Sequence, residues 1–266
     1  AMSSEFSHEK TVLLEARQLY KNFGGVGAAS NVSFKVYTGH IQALIGPNGA
    51  GKTTTFNLIS GTHRLDEGDI FFAGKRISGL PVHRIAALGV GRTFQNLQIF
   101  HNMTVLENVL VGCYLRYRVG FVAAAIRWPG LASQEKRLQE EAMAYLAMVG
   151  LANRAASLAD SLSYGQQRLV EIARALAVRP KLLLLDEPAA GLTQAETVAL
   201  EELIRRIRDQ GITVLLVEHD MKLVMEIADQ IIVLQYGEKI AEGTPAEIQS
   251  NPAVIEAYLG DESYFA

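Results

Sequence analysis

A glycine-rich stretch between a predicted strand and a predicted helix constrains the fold of this chain more than any other feature. Residues 44–58 read LIGPNGAGKTTTFNL, which combines strand-like apolar residues, a loop with glycines and a helix-like run. The phosphate-loop spacing G-x-x-x-x-G-K-[ST] is satisfied by Gly46, Gly51, Lys52 and Thr53. Because the loop lies between a strand and a helix, as this motif requires, we expect it to bind phosphate.

The residue types of this loop suit a nucleoside triphosphate. Glycines let backbone N–H groups converge on phosphate oxygens where side chains would intrude, and the helix N-terminus adds a favourable dipole. We expect Lys52 to supply positive charge to the β- and γ-phosphates and Thr53 to supply a hydroxyl for Mg²⁺. By itself the loop indicates only a nucleotide-binding protein, which could be a kinase, a GTPase or a motor.

Strands and helices alternate in the last third of the chain. The segments KLLLL (181–185) and ITVLLV (212–217) are almost continuously apolar, as strands covered on both faces are. A third strand, IIVLQ (231–235), follows, and helix-like stretches 194–209 and 221–228 separate the three. This alternation predicts an α/β fold with a parallel sheet.

Two other regions have different patterns. Early β-rich runs occupy 11–16, 31–36, 41–45 and 69–73, and in the second of them Val32, Phe34 and Val36 alternate with polar residues, which predicts a half-exposed antiparallel strand. From about 103 to 178 the pattern is helical. An amphipathic helix that ends at Gly150 is predicted by the spacing of Leu138, Ala142, Tyr145, Leu146 and Val149.

Composition and charge exclude several classes of protein. With 266 residues, 49% of them apolar, the chain can bury a sizeable core, and its formal net charge of −3 gives no basic field for nucleic acid. The single cysteine, Cys113, excludes an internal disulfide, and the six scattered histidines argue against structural zinc. We expect residues 1–10 to be a flexible N-terminus, partly a remnant of cloning. The most apolar run, 119–126, is shorter than the roughly 20 residues that cross a bilayer, so a soluble chain is expected.

Three motifs outside the loop carry further candidate residues. Asp186 and Glu187 end a buried strand in KLLLLDEP, where they are suited to bind Mg²⁺ and to polarise an attacking water as general base; the alternative is a charged strand end before a proline turn. In LSYGQQ (162–167), a hydroxyl and a glycine before a helix make either an anion site or a simple N-cap. His219 follows a strand, where it is either structural or within reach of a γ-phosphate.

Together these motifs resemble those of the nucleotide-binding subunits of ABC transporters, over roughly residues 11–260. GPNGAGKTT resembles the Walker A motif, LLLLDEP the Walker B motif and LSYGQQ the signature motif. GRTFQN carries the Q-loop glutamine at Gln95, EHD carries the H-loop histidine, and Phe23 matches the aromatic residue on which adenine stacks. The resemblance implies a P-loop NTPase (RecA-like) core with an antiparallel β subdomain and an inserted α-helical subdomain. The core would comprise 11–95 and 179–266, with C-terminal helices, and the helical signature subdomain would comprise 96–178.

The resemblance also implies a Mg²⁺-dependent ATPase with assigned residues. Glu187 and His219 would be catalytic, and Mg²⁺ would be bound by Thr53, Gln95 and Asp186. ATP would be contacted by Phe23, Gly46, Pro47, Asn48, Gly49, Ala50, Gly51, Lys52, Thr53 and Thr54. Members of this family work as head-to-tail dimers, so ATP on the partner subunit would be contacted by Ser163, Gly165 and Gln166.

Two departures from the common family pattern point to one branch. Tyr164 replaces the usual signature glycine, and Thr193 replaces the D-loop aspartate of many members. Both are similar to the ATP-binding subunits of branched-chain amino acid importers, as are residues 89–112, the insert 113–133 and the ending GTPAEIQSNPAVIEAYLGD. Related importers take urea or amides. By this resemblance a groove near 95–115, lined by Phe94, Leu97, Ile99 and Phe100, would receive a helix of a membrane subunit; burial of these residues is the alternative.

The implied partners are a second ABC ATPase subunit, as homo- or heterodimer, two transmembrane permease subunits and, indirectly, a periplasmic or extracellular solute-binding protein. The implied location is the cytoplasmic face of the inner (plasma) membrane, as a peripheral subunit. Three alternatives stay open. One is the ATPase of lipopolysaccharide export, one is a soluble ABC ATPase of translation or DNA repair, and one is a nucleotide sensor without turnover.

Overall fold

The computed structural model describes residues 11–116 and 131–258. The predicted flexible N-terminus, the apolar run 119–126 and residues 117–130 of the predicted insert lie outside the described residues. The strands are β1 (Val12–Phe23), β2 (Val26–Tyr37), β3 (Ile41–Ile45), β4 (Glu67–Phe72), β5 (Lys75–Arg76), β6 (Val90–Arg92), β7 (Leu182–Asp186), β8 (Thr213–Val217), β9 (Gln230–Gln235) and β10 (Glu238–Gly243). The α-helices are α1 (Lys52–Ile59), α2 (Val82–Leu88), α3 (Val105–Tyr114), α4 (Leu131–Met148), α5 (Tyr164–Ala177), α6 (Gln194–Asp209), α7 (Met221–Ile227), α8 (Pro245–Gln249) and α9 (Pro252–Tyr258).

A six-stranded sheet with the order β10-β9-β3-β8-β7-β6 forms the centre of the fold. Its strands pair in parallel except β10, which is antiparallel to β9. The predicted parallel α/β sheet is therefore confirmed. All residues of β7 and β8 are buried, as their continuous apolar sequences predicted. Since parallel strands end at the same edge of a sheet, residues that follow β3, β6, β7 and β8 meet there.

A second, four-stranded antiparallel sheet has the order β2-β1-β4-β5. The prediction for Val32, Phe34 and Val36 is confirmed, because all three are buried while their neighbours along the strand are exposed or half-buried. The predicted strand 11–16 was too short, since β1 continues to Phe23. The register shifts after Ala16, where Gln18 has a positive φ of 48°. This irregularity breaks the period-two alternation on which strand prediction depends.

The core fills both sides of the central sheet. Alternate residues of β7 point to opposite faces, so Leu183 packs in the cluster that contains helices α3 to α7, and Leu184 packs in the cluster that contains α1 and the antiparallel sheet. The predicted amphipathic helix is observed as α4, with Leu138, Ala142 and Leu146 buried. Within the described residues, no helix combines the length and the apolar character needed to span a bilayer.

Candidate active site

The glycine loop, residues 46–53, connects β3 to α1 and packs tightly against its neighbours. A Cβ atom at Gly46 would lie 2.1 Å from the carbonyl oxygen of Leu234, and one at Gly51 would lie 2.3 Å from that of Ala28. Both glycines also have positive φ angles, 151° and 97°. Only glycine fits these two positions, because any side chain would collide with backbone of β9 or β2.

Lys52 begins α1 and folds back over the loop. Its Nζ donates hydrogen bonds to the carbonyl oxygens of Gly46, at 2.6 Å, and Pro47, at 3.0 Å. Burial lowers the pKa of Lys52, and the negative charges of Glu187 and Asp186 act in the opposite direction. The side chain is therefore a buried ammonium group that donates to two neutral carbonyls. An anion in this concavity would be a stronger partner for it.

Asp186 is the last residue of β7 and is 1% exposed. Its Oδ2 accepts a hydrogen bond from Nη2 of Arg92 at 3.0 Å, whereas Oδ1 is buried and has no hydrogen-bond partner among residues 11–116 and 131–258. Burial raises the pKa of Asp186, and the charge of Arg92 opposes this effect. The free buried oxygen suits a hard cation or a water bound to one, so the residues present fit Mg²⁺. Sequence analysis quoted Arg92 within GRTFQN but assigned it no role.

Glu187 and Gln95 meet although they are far apart in the sequence. Nε2 of Gln95 donates a hydrogen bond to Oε2 of Glu187 at 3.1 Å. The backbone of Glu187 is also unusual. Its φ is 46°, which is uncommon for a residue other than glycine, and such angles often mark functional sites. Its backbone N–H is bonded to the carbonyl oxygen of Val217 at the end of β8, at 2.9 Å. Two predicted site residues are thus brought together at the carboxyl edge of the sheet.

His219 follows β8, and its side chain is 52% exposed. The preceding residue, Glu218, is 1% exposed and accepts backbone N–H groups from Ala189 at 2.8 Å and from His219 at 3.0 Å. Burial raises the pKa of Glu218, and these N–H groups oppose the shift. Glu218 therefore holds the loop after β7 and the start of the histidine loop together. Sequence analysis missed this role, although an acidic residue directly after an apolar strand is a usable signal.

Phe23 lies at the end of β1 and is 43% exposed. Its ring meets the imidazole of His63 edge-on at a centroid distance of 5.3 Å, and Nζ of Lys21 lies 5.2 Å from the ring centroid. The turn to β2 places this ring near the strand whose Ala28 supports the glycine loop. Enough of the ring is exposed for a planar ligand to stack on it.

The signature residues lie at the start of helix α5, where Ser163 is the N-cap. Oγ of Ser163 accepts a hydrogen bond from the backbone N–H of Gln166 at 3.3 Å, and the Gln166 side chain accepts one from the N–H of Ser163. Ser163 is therefore the N-cap of α5, and because the residue is exposed the predicted anion site remains a prediction. A Cβ at Gly165 would lie 2.5 Å from Oε1 of Glu196. In the part of the chain that the structure describes, no hydrogen bond joins Ser163 or Gln166 to residues 46–54.

Thr193, which replaces the usual aspartate, has a structural role here. It is the N-cap of α6, where its Oγ1 accepts the backbone N–H of Glu196 at 3.4 Å and the Glu196 carboxylate accepts the N–H of Thr193 at 2.9 Å. This reciprocal pair is a capping box, and threonine supplies it as aspartate would. The departure therefore preserves the start of the helix.

An apolar groove of about 320 Å³ lies beside the Gln95 loop. Phe94 and Phe100, which are 40% and 47% exposed, form part of its wall, and the mostly buried Ile99 contributes to its floor. Leu97, which was also expected in this groove, does not line it. The groove is continuous with the candidate active site through Arg92, because this arginine both lines it and binds Asp186.

Family profiles match two parts of the chain. Residues 29–190 match the family described as ABC transporter. Residues 238–264 match the family described as branched-chain amino acid ATP-binding cassette transporter.

Named proteins resemble the chain over nearly its whole length. The high-affinity branched-chain amino acid transport ATP-binding protein BraF of Pseudomonas aeruginosa is 46% identical over 250 residues, which are 94% of this chain and 98% of that protein. LivG of Escherichia coli K12, with the same description, is 44% identical over the same shares. The lipopolysaccharide export system ATP-binding protein LptB of Acidithiobacillus ferridurans is 36% identical, again over 94% and 98%.

Solved structures agree with the fold. A cassette of an ABC transporter in its ADP conformation has a TM-score of 0.82 at 33% identity and covers 94% of this chain and 100% of that one. A dimeric bacterial ABC transporter cassette has a TM-score of 0.75 at 26% identity, over 88% and 99%. The expected P-loop NTPase fold is confirmed by these neighbours. The chain belongs to the ABC transporter family of ATP-binding cassette subunits, in the branch of the branched-chain amino acid transport ATP-binding proteins.

Proposed function

We propose that this chain is the ATP-binding and ATP-hydrolysing subunit of an ABC importer, and that it drives uptake of branched-chain amino acids, or related amino acids and amides, through separate permeases. One observation carries the proposal. This chain resembles BraF over 98% of that protein. Near the carboxyl edge of its sheet it has the buried Lys52, the buried Asp186 and Glu187, whose carboxylate is hydrogen-bonded to Gln95. A sensor without turnover would have no use for a positioned general base.

ATP binds along the glycine loop and the exposed Phe23. The backbone of residues 46–51 and the ammonium group of Lys52 bind the phosphates, Thr53 and Thr54 add hydroxyl groups, and adenine stacks on the Phe23 ring. Lys52 exchanges its two carbonyl partners for phosphate oxygens, which are charged and therefore stronger acceptors.

Mg²⁺ completes this site. Thr53, Gln95 and the free Oδ1 of Asp186 are the protein groups that would hold it, together with phosphate oxygens. When bound, the ion neutralises charge on the phosphates. Among the described residues, no group of three or more His, Cys, Asp or Glu side chains is arranged to hold a metal ion.

Glu187 orients and polarises the water that attacks the γ-phosphate. Gln95 holds its carboxylate through the 3.1 Å hydrogen bond and thereby fixes the direction of the lone pairs. His219, exposed at the end of β8, contacts the γ-phosphate and helps to place the water. Glu218 acts indirectly, because it accepts the backbone N–H of His219 and so fixes the position of that residue.

Two cassettes act together, with each ATP enclosed between the glycine loop of one subunit and Ser163, Gly165 and Gln166 of the other. The exposed Ser163 and the positive dipole end of α5 are suited to a γ-phosphate that arrives from outside the chain. The dimeric cassette among the similar structures supports this arrangement. A homodimer and a heterodimer with a second ABC ATPase both satisfy it.

The subunit is peripheral on the cytoplasmic face of the membrane and binds two permease subunits, which in turn receive cargo from a solute-binding protein. The apolar groove with Phe94 and Phe100 takes a short permease helix. We further propose a nucleotide-binding core of residues 11–95 and 179–266 and a helical signature subdomain of residues 96–178. Residues of both the core and this subdomain line the groove.

Reconstitution into liposomes tests the importer. The chain is combined with the permeases, the second cassette and the solute-binding protein of the proposed importer, and uptake of labelled leucine, isoleucine and valine is measured with ATP inside the liposomes. ATP-dependent uptake that is lost with Glu187→Gln supports the proposal. Because LptB is also similar, the same vesicles are tested for ATP-dependent lipopolysaccharide extraction, and this activity without amino acid uptake would favour the exporter.

A further inference from the structure

Arg168, on helix α5, is buried and bonded to a loop far away in the sequence. It is 1% exposed, and its guanidinium donates to the carbonyl oxygen of Phe94 at 2.7 Å and to that of Gln95 at 3.0 Å. The same group binds the carboxylate of Glu171 at 3.1 Å and the hydroxyl of Tyr164 at 3.0 Å. One side chain thus connects the signature helix, α5, to the backbone of Gln95.

Glu171 holds the same backbone from a second direction. It is 1% exposed, and its Oε1 accepts the backbone N–H of Phe94 at 3.1 Å. The pair therefore satisfies both the donor and the acceptor of Phe94 and also the acceptor of Gln95. A buried ion pair costs desolvation and is seldom a net source of stability. Its charges are better explained by the need to fix one loop conformation than by packing.

Tyr164 extends this linkage to the loop after β7. Its ring packs so closely against Gly191 that a Cβ there would lie 3.1 Å from Cε1 of the ring. Its hydroxyl accepts a hydrogen bond from Arg168, and it directly follows Ser163. Glycine, the usual residue at this signature position, could make neither contact. Tyrosine at position 164 is therefore used in this chain for two contacts, one with Gly191 and one with Arg168.

We propose that Tyr164, Arg168 and Glu171 form a Q-loop anchor that fixes the Gln95 backbone to the signature helix and thereby sets the position of Gln95 on Glu187. The inference rests on the proposed ATPase function. The three are positioning residues, since none of them touches Glu187. Movement of α5 relative to the sheet would pull on the Gln95 backbone through these hydrogen bonds, so the position of Ser163 and the contact of Gln95 with Glu187 are coupled.

A double-mutant cycle tests the anchor in the assembled transporter. Arg168→Lys keeps the charge but cannot bind four acceptors in the planar geometry of a guanidinium. We expect kcat to fall about 10-fold with an unchanged Kd for ATP, because a small displacement of a positioned group is costly for the reaction but not for substrate binding. In a Gln95→Ala background the same substitution should change kcat by less than about 2-fold, since its effect passes through Gln95.

Two further variants make the test independent of folding. Tyr164→Phe removes only the hydroxyl that accepts from Arg168, keeps the ring on Gly191, and should lower kcat about 3-fold. Since loss of this acceptor also costs some stability, kcat is measured well below the unfolding temperature of the variant. Arg76→Lys is the control for an arginine ion pair, because Arg76 binds the carboxylate of Asp69 within the antiparallel sheet; its kcat should equal that of the wild type.

The outcomes separate this inference from the proposed function. Equal effects of Arg168→Lys in the wild-type and Gln95→Ala backgrounds, or a Tyr164→Phe variant with the wild-type kcat, would overturn the anchor while a Glu187-dependent ATPase remained. An assembled wild-type transporter that hydrolysed no ATP, or hydrolysed it equally well with Glu187→Gln, would instead refute the proposed function.

Discussion

Gln95 donates a hydrogen bond of 3.1 Å to the carboxylate of Glu187, across a separation of 92 residues in the sequence. This contact joins the loop that borders the apolar groove to the residue that follows β7. A displacement of the Gln95 loop at the groove would therefore change the position of the Glu187 carboxylate directly. The relationship also places the glutamate carboxylate in a defined direction before any nucleotide arrives.

Substitution of the candidate base separates binding from turnover. We expect Glu187→Gln to keep ATP affinity and to lower kcat by at least about 100-fold, because the amide cannot accept the proton from water. The loaded variant should accumulate as a dimer in size-exclusion chromatography with ATP. Glu67→Gln, an exposed substitution on β4, is the control and should behave as the wild type. Normal turnover by Glu187→Gln would assign the base elsewhere.

Lys52 should decide whether nucleotide binds at all. Lys52→Ala removes the only side-chain cation that the structure places on the carbonyls of the glycine loop, among its described residues. We expect a loss of ATP affinity of at least about 10-fold, since a charge-assisted contact contributes about 1.5–3 kcal/mol. Titration calorimetry measures this loss. An unchanged Kd would contradict the phosphate-binding role.

The same lysine predicts a pH dependence of binding. Burial lowers the pKa of Lys52 from its ordinary value of 10.5, and only the charged form attracts phosphate. ATP affinity should therefore fall as pH rises through this pKa, and the fall should begin at a lower pH than an exposed lysine would cause. Lys52→Arg is the control, because a guanidinium stays charged in this range. Equal pH profiles for both proteins would count against the assignment.

Adenine stacking on Phe23 should be a modest contribution. We expect Phe23→Ala to weaken ATP binding by about 1 kcal/mol, or roughly 5-fold, which is typical of one aromatic contact. Phe71→Ala is a suitable control on the same antiparallel sheet, because its ring packs against Arg17. The Kd of each variant follows from fluorescence titration. If Phe23→Ala binds like Phe71→Ala, the base stacks elsewhere.

The sequence was sufficient for features that depend on local pattern. The apolar runs of β7 and β8 and the helical periodicity of α4 were enough to predict these elements, because burial imposes a regular spacing on apolar residues. Strand β10, Glu238–Gly243, was not predicted, since its charged edge-strand residues hide the alternation. The contacts of Arg168 with the Gln95 backbone could not be predicted from the sequence either. They join residues 73 apart in the chain, and nothing in either segment specifies the other.

The arrangement of one ATP between two subunits is the central claim, and the structure of the complete transporter with Glu187→Gln and ATP tests it most directly. In a homodimer, cryo-electron microscopy should show each triphosphate between Lys52 of one cassette and Ser163 of the other. In a heterodimer, the same contacts should join this chain to the matching residues of its partner. Triphosphates that contact Lys52 and Ser163 of the same chain, or that lie in a cassette with no partner contact, would contradict the account.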